Sequence, residues 1–210
     1  MEWAAGALGV LEERVAEWLD LSPYDLIEQE AEKIPPGSEG LIFLPYLMGE
    51  RSPHWDPSAR GVFLGITRKH RRAHFLRAVY EGVALNLRTI FLALKDLGVG
   101  LEEVRAIGGG VKSRLWVKIL VDALGTPLHV TKSPLEATAL GAAMAGAVGV
   151  GLVRDFPSAA ERFVHVGQVV EPGPGAEVYS EVHGLFLDAY EALRRIFPRL
   201  SVLEEGGGHG

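Results

Sequence analysis

Apolar residues recur along this chain in helical stripes that are separated by short apolar runs. The longest stripe has apolar residues three and four positions apart and predicts an amphipathic helix that stops at Gly98. Short apolar runs at 41–45 and 62–66 before it, and at 104–107 and 128–130 after it, predict strands. This alternation predicts an α/β layer with some parallel pairing. The stripe consists of Phe75, Val79, Val83, Leu87, Ile90, Phe91 and Leu94.

Residues with strong start and stop preferences set the expected ends of the other helices. A first helix over residues 2–20 has a weak point at Gly9. A second begins at Ser22-Pro23, a hydroxyl cap followed by proline, and ends near Lys33. Residues 133–136 read Ser-Pro-Leu-Glu, a capping box that predicts the start of an Ala/Gly-rich helix.

The C-terminal quarter of the chain gives weaker signals. Residues 156–175 show no clear periodicity and are expected to be irregular. A last helix is expected from residue 177 to about 197, where Pro198 stops it. Residues 201–210 are expected to be a disordered tail. The folded domain is therefore predicted to span residues 1–200.

Composition and charge exclude several classes of protein. The chain has 210 residues, 48% hydrophobic and 23% charged, which fits a globular domain. Its net charge of −6 argues against nucleic-acid binding, and the absence of cysteine excludes disulfides and thiolate metal sites. The longest uncharged stretch, 137–153, is rich in Ala and Gly and is expected to be a helix pressed tightly against its neighbours. These features predict a soluble cytoplasmic protein without a membrane partner.

A glycine-rich turn is the best candidate for a binding site. The segment 106–116 runs from a strand into Gly108, Gly109 and Gly110 and then into a helix. Glycines let a flat or anionic group lie against the backbone, and a helix N-terminus offers N–H donors and a partial positive charge. Lys112, Ser113 and Arg114 add side-chain donors at the same place. The alternative is an ordinary strand–helix turn with glycines for packing.

Three further groups of residues could carry chemistry, each with a structural alternative. Glu136 precedes the Ala/Gly helix and could face a ligand, or it could cap the backbone of Ser133. The basic cluster 68–74 could hold phosphate, or it could be a solvated helix entrance. The polar residues of 50–56 could touch a polar substrate, or they could form a surface turn that buries Trp55.

The segment from Gly61 to Glu81 resembles the C-terminal signature of the FGGY carbohydrate kinases. The flanking sequence, including AIGGGVKSRLW and ALGAAMAG, looks most like the xylulokinase branch of that family. The resemblance extends from about Glu2 to Leu200. The signature positions that match are Gly61, Phe63, Gly65, Ile66, His74, Phe75, Ala78, Val79, Tyr80 and Glu81.

The resemblance implies an actin-like ATPase fold, with a ribonuclease-H-like core in each of two domains and ATP in the cleft between them. By position, glycines 108–110 would lie against the adenosine. Ser113 and Arg114 stand where a related branch has an Asn pair near the adenine. Glu136 and the stretch from Ala139 to Gly141 would line the neighbouring wall.

The resemblance also implies what this chain does not supply. The family's catalytic Asp and phosphate loops have no counterpart here, so the chain is expected to be a C-terminal domain truncated at its N-terminal strands. No catalytic residue and no protein metal ligand are assigned. Asp122, on a helix after the glycine turn, is expected to serve packing or capping.

The activity implied for the whole enzyme is phosphate transfer from ATP, with Mg, to D-xylulose, giving D-xylulose 5-phosphate. Half a cleft is expected to give almost no rate. Glycerol, gluconate and ribulose kinases share the signature and stay open as alternatives. A non-catalytic nucleotide-binding or assembly module from a split gene also stays open. Such a module could form a homodimer or dock with a separate N-terminal half.

Overall fold

The computed structural model describes residues 1–101 and 103–206, in which helices and strands alternate. The strands are Ile42–Leu44 (β1), Val62–Leu64 (β2), Val104–Ala106 (β3), Leu128–Thr131 (β4) and Val166–Val170 (β5). The helices are Glu2–Leu8 (α1), Val10–Leu19 (α2), Pro23–Ala31 (α3), Arg72–Asp96 (α4), Arg114–Leu124 (α5), Ala137–Gly149 (α6), Phe156–Phe163 (α7), Gly175–Leu193 (α8) and Phe197–Gly206 (α9). None of the helices in these residues is long and apolar enough to cross a bilayer.

The N-terminal helices begin and end near the residues that the sequence predicted. The first helix breaks at Gly9, where a Cβ would lie 2.8 Å from the Ala5 carbonyl oxygen and 2.9 Å from a methyl of Ile27. Glycine therefore lets α1, α2 and α3 pack closely. The Ser22 hydroxyl accepts a hydrogen bond from the Tyr24 N–H, which confirms the predicted start of α3.

Helix α4 is the central element of the first half. It packs on β1, which pairs antiparallel with β2. Gly82 allows this contact, because a Cβ there would lie 2.2 Å from the Phe43 carbonyl oxygen. The predicted apolar stripe is only partly buried: Val79 is inside, whereas Leu87 and Leu94 are 39% exposed. The reason is that β1, α5 and α8 surround the N-terminal half of α4 and bury several of its faces.

A buried polar cluster explains why Glu81 belongs to the signature. Its carboxylate accepts hydrogen bonds from the Arg77 guanidinium (2.7 Å), the Tyr179 hydroxyl (2.8 Å), the Ser38 hydroxyl (2.7 Å) and the Gly37 N–H (3.0 Å). Every one of these side chains is buried. A buried charge needs such complete pairing. Glu81 therefore joins α4, α8 and the turn before β1.

The second half is built on a three-stranded sheet in the order β3-β4-β5. Strand β3 pairs parallel with β4, with Val104 opposite Leu128, and β5 pairs antiparallel with β4. Helix α5 covers one face, where Val117 and Val121 pack with Leu128 in one apolar cluster. Helix α5 ends at Gly125, whose φ of +66° makes it a left-handed cap.

The region 156–175, predicted to be irregular, is instead ordered. It contains α7 and β5, and the Asp155 carboxylate caps α7 by accepting the Ser158 N–H at 2.9 Å. Strand β5 carries little periodic signal because it owes its conformation to pairing with β4. A local sequence pattern cannot report such pairing.

Two predicted helix boundaries are wrong. Helix α6 begins at Ala137, and the Ser133 capping box does not form. The loop before α6 is instead held by backbone bonds, from the Gly108 N–H to the Pro134 carbonyl (2.7 Å) and from the Lys132 N–H to the His165 carbonyl (2.9 Å). Pro198 does not stop the last helix but lies in the first turn of α9, where proline is tolerated.

The predicted tail and the predicted packing of α6 also need correction. Residues 201–206 continue α9 and are not disordered, while residues 207–210 lie outside the described part of the chain. Helix α6 is not pressed tightly against its neighbours, because none of its residues is buried. Its packing partners within the described residues are too few to cover it.

Candidate functional site

The glycine turn lies at the carboxyl end of β3. Gly108 has a φ of +88°, which only glycine adopts readily, and its N–H bonds to the loop before α6. A single 3-10 turn, Gly109–Lys112, follows. Ser113 then caps α5, so the predicted order of strand, glycine turn and helix is confirmed.

The three glycines differ in their surroundings. Gly108 is favoured by its backbone conformation, and Gly110 by the Trp116 ring, which would lie 3.1 Å from a Cβ. Neither reason applies to Gly109, because its φ is not positive and, apart from its chain neighbours, no atom of the described residues lies within 4 Å of a Cβ built there. The backbone at Gly109 therefore faces open space, where a flat group can lie directly against it.

The N-terminus of α5 is already capped by the protein itself. The Ser113 hydroxyl accepts the Trp116 N–H at 2.9 Å, and the Glu28 carboxylate accepts the Leu115 N–H at 2.8 Å. The sequence predicted free N–H donors here, and for these two amides that prediction is wrong. Glu28 lies on α3, 87 residues away in sequence, so no local pattern could have found it.

Two aromatic residues, Trp116 and Tyr80, pack beside the glycine turn. Trp116 contacts Gly110, and its ring centroid lies 6.2 Å from that of the buried Tyr80. Burial, with a further contribution from the Glu28 carboxylate, raises the pKa of Tyr80 to about 12. The Tyr80 hydroxyl therefore stays protonated at neutral pH and remains a neutral hydrogen-bonding group behind the turn.

Glu136 and Gly141, also predicted to line the adenosine site, are less directly connected to the glycine turn. The bond from Gly108 to Pro134 brings the loop that precedes Glu136 against the turn. Glu136 is exposed, immediately precedes α6 and makes no side-chain cap, so the capping alternative is wrong. Gly141 lies within α6, and no atom lies within 4 Å of a Cβ built there. In the described part of the chain, no hydrogen bond joins Gly141 to the turn.

Two cavities flank the turn without including the three glycines. One of about 470 Å³ lies beside α5 and is lined by Arg114, Lys118 and Asp122 among others. Asp122 is buried and accepts the Gly173 N–H at 2.5 Å, which supports the expected packing role, whereas α8 has no side-chain cap. The other cavity, of about 240 Å³, lies between the sheet and α6. The glycine turn thus lies on an open surface and not in a closed pocket.

The loop between β1 and β2 is held at both sides of an exposed tryptophan. Asp56 accepts the Tyr190 hydroxyl at 3.0 Å, and the His54 ring stacks on Tyr190 at 4.5 Å. The Glu50 carboxylate accepts the backbone N–H groups of residues 51 and 52. Trp55 itself is 80% exposed, so the alternative of a turn that buries it does not hold.

The basic cluster at 68–74 is largely used within the chain. Arg72 forms ion pairs with Glu12 and Glu30, and Lys69 lies 3.1 Å from the Glu39 carboxylate. These pairs support the structural alternative for the cluster. Within residues 1–101 and 103–206, no group of three or more His, Asp and Glu side chains is placed to hold a metal ion.

Comparison with known proteins identifies the family. The FGGY family of carbohydrate kinases, C-terminal domain, matches residues 1–150. Gluconokinase of Bacillus subtilis is 30% identical over 207 residues, which are 98% of this chain and 40% of that protein. Xylulose kinase of Staphylococcus epidermidis is 35% identical over 167 residues, which are 80% of this chain and 32% of that protein.

Solved structures agree with this family. Ligand-bound xylulose kinase from Lactobacillus acidophilus superposes with a TM-score of 0.81 at 30% identity, covering 95% of this chain and 38% of that one. Plasmodium falciparum glycerol kinase with ADP gives 0.69 at 25% identity, covering 90% and 36%. The chain spans two fifths or less of the length of these relatives. It belongs to the FGGY family of carbohydrate kinases, as a C-terminal domain with the actin-like ATPase fold.

Proposed function

We propose that this chain supplies the adenosine-binding wall of an ATP-dependent sugar kinase. The observation that carries the proposal is the bare backbone at Gly109, where neither packing nor backbone conformation demands a glycine. A neutral, flat base and ribose suit this surface, because the chain's own groups already occupy two amides of the adjoining helix end. The ADP named with the Plasmodium falciparum relative supports a nucleotide in this fold.

D-xylulose is the proposed sugar substrate, and D-xylulose 5-phosphate the proposed product. Xylulose kinases stand among the similar sequences and the similar structures, at up to 35% identity. Gluconokinase and glycerol kinase are also among the relatives, so gluconate and glycerol, with ribulose, are the alternative substrates. The proposed location is the cytoplasm, where ATP and sugars are available to a kinase.

The chain by itself is proposed to be inactive. Phosphoryl transfer depends on positioning and on Mg, which neutralises charge on the phosphates. Kinases hold Mg through substrate phosphates and one or two carboxylates, and the remainder of the enzyme is the proposed source of those carboxylates. One wall of a cleft cannot position both substrates, and catalysis depends on that positioning.

Calorimetry with ADP on the wild type and on Gly109→Ala tests the adenosine wall. The wild type is expected to bind ADP with an affinity weaker than micromolar. The added methyl would stand between ligand and backbone, so Gly109→Ala is expected to weaken binding by about fivefold or more. Thermal unfolding should be almost unchanged, because no atom of the protein lies near the new methyl.

The matched control is Gly184→Ala on α8, where a Cβ also meets no atom within 4 Å. It should leave ADP binding unchanged. Equal ADP affinity of the wild type and Gly109→Ala would contradict the proposed site. Absence of ADP binding by the folded wild type would contradict the proposed function altogether.

A second candidate role is assembly, which α6 favours. Its thirteen residues carry no charge, and none of them is buried. A helix in contact with water normally has a polar outer face, so this composition suits a covered position. The proposed cover is a second copy of the chain or a separate N-terminal half of the kinase. The exposed residues of α6 are Thr138, Ala139, Ala142, Ala143, Ala145, Gly146 and Gly149.

A further inference from the structure

The carboxylate of Glu28 occupies the place at the end of α5 where an anion would bind. It lies half-buried on α3, and its Oε1 atom accepts the N–H of Leu115 at 2.8 Å. Leu115 is the second residue of α5, so this N–H belongs to the first turn and has no partner within the helix. The next amide, of Trp116, is taken by the Ser113 hydroxyl.

Helix N-termini attract anions because their free N–H groups and the helix dipole favour negative charge. At α5 a carboxylate from the protein already receives this stabilisation. A phosphate arriving there would have to displace Glu28 and would also face its negative charge. The exposed side chains of Lys112 and Arg114 lie at the same end of α5, and their positive charges oppose that repulsion. Whether a phosphate binds there therefore depends on the charge of Glu28.

We propose that Glu28 is a specificity-determining residue that makes the glycine turn accept adenosine while keeping phosphate groups away from α5. The inference rests on the proposed adenosine wall and adds to it a direction for the nucleotide. The base and ribose lie against the turn, and the phosphate chain leads away from the helix. Glu28 acts on the ligand through its negative charge and by accepting the Leu115 N–H, which is then not available to the ligand.

A purely structural role for Glu28 is the competing explanation, since the same bond joins α3 to α5. Glu28→Gln separates the two, because the amide oxygen can still accept the Leu115 N–H while the negative charge is gone. The matched control is Glu32→Gln, which removes an exposed carboxylate at the C-cap of α3, one turn beyond Glu28. Glu28→Met, of similar length, serves as a second variant if the glutamine variant fails to fold.

The experiment measures the affinities of adenosine and ADP by calorimetry for the 210-residue chain and its variants. In Glu28→Gln the preference for ADP over adenosine is expected to rise by about threefold to tenfold, and in Glu32→Gln it should stay unchanged. The gain should shrink at high salt, because a charge effect at a solvent-accessible site is screened. An unchanged preference in Glu28→Gln overturns the inference.

Pyrophosphate provides a second test of Glu28 that does not depend on adenosine binding. It is expected to raise the thermal midpoint of Glu28→Gln but not that of the wild type or of Glu32→Gln. Equal stabilisation of the wild type and Glu28→Gln overturns the inference. If the wild type binds neither adenosine nor ADP, the proposed function fails, while the pyrophosphate comparison still decides the role of Glu28.

Discussion

His183 is a buried imidazole on α8, only 6% exposed, with its Nε2 atom 2.9 Å from the Thr89 hydroxyl. Burial, with a contribution from the nearby Arg88, lowers its pKa from 6.5 to about 4. The Thr89 hydroxyl donates to the Leu85 carbonyl, so it accepts the N–H of the neutral ring. The folded protein therefore keeps His183 uncharged under mildly acidic conditions.

This lowered pKa predicts a stability that depends on pH. Between pH 6.5 and about 4 the unfolded chain takes up a proton at His183 that the folded chain does not. Stability from this residue is thus present above pH 6.5 and is lost as the pH falls towards 4. The loss is expected to reach about 3 kcal/mol at most.

Urea unfolding at several pH values between 7.5 and 4.5 checks this, with His183→Gln as the variant. The variant cannot titrate at this position, so the difference from the wild type should shrink or reverse as the pH falls. His165→Gln, at an exposed position, is the control and should follow the wild type. Parallel pH profiles of the wild type and His183→Gln would show that the residue is not held neutral.

Two glycines within helices show how packing can reverse a local preference. Gly82 in α4 and Gly184 in α8 both lie well inside their helices, where alanine is intrinsically more favourable by about 1 kcal/mol. A Cβ at Gly82 would lie 2.2 Å from the Phe43 carbonyl oxygen, whereas one at Gly184 would meet no atom within 4 Å. The sequence does not distinguish the two positions.

The substitutions Gly82→Ala and Gly184→Ala are therefore expected to have opposite signs. Gly82→Ala must move α4 away from β1, and it should lower the free energy of unfolding by about 2 kcal/mol or more. Gly184→Ala should raise it by about 0.5–1 kcal/mol. Chemical denaturation of both variants measures the difference. A neutral Gly82→Ala would mean that α4 and β1 are not in the close contact described.

At the level of elements, the sequence predicted those helix ends that depend on local chemistry. Ser22 was predicted to cap the start of α3, and its hydroxyl accepts the Tyr24 N–H there. The Ser133 box failed because the chain there is committed to bonds with the glycine turn after β3 and with the segment before β5. Strand β5 was missed because its partner, β4, is distant in sequence.

The same distinction applies to the candidate site. Glycines 108–110 and Ser113 were predicted from a strand running into a turn and a helix. Glu28 was not, because it reaches the site from α3. The sequence left open whether this loop buries Trp55, and the residue is exposed, since the loop is fixed by His54 and Asp56 on either side of it.

For the molecule as a whole, α6 and the neighbouring edge of the sheet form a surface that the described residues leave uncovered. Strand β3 pairs with β4 alone in the described residues, which leaves one edge available for pairing. Ile107, just after β3, is 57% exposed. An uncharged helix beside an open sheet edge is the kind of surface through which chains associate.

The chain on its own is therefore expected to self-associate through α6. Light scattering over a range of concentrations should give a mass above that of the monomer, and Ala142→Glu should return it to the monomer value. The control is Ala192→Glu, which makes the same change on an exposed face of α8. A wild type that stays monomeric at every concentration would contradict this prediction.

The sequence by itself determined the family signature, the α/β order and the glycine turn, because each depends on residues that are close together along the chain. Tertiary structure decided the four-fold pairing of Glu81, the occupation of α5 by Glu28 and the open face of α6. These features join positions that lie up to 98 residues apart, or depend on which surfaces remain uncovered. Hydrogen-bond and burial energies act between spatial neighbours, and only the folded chain defines those neighbours.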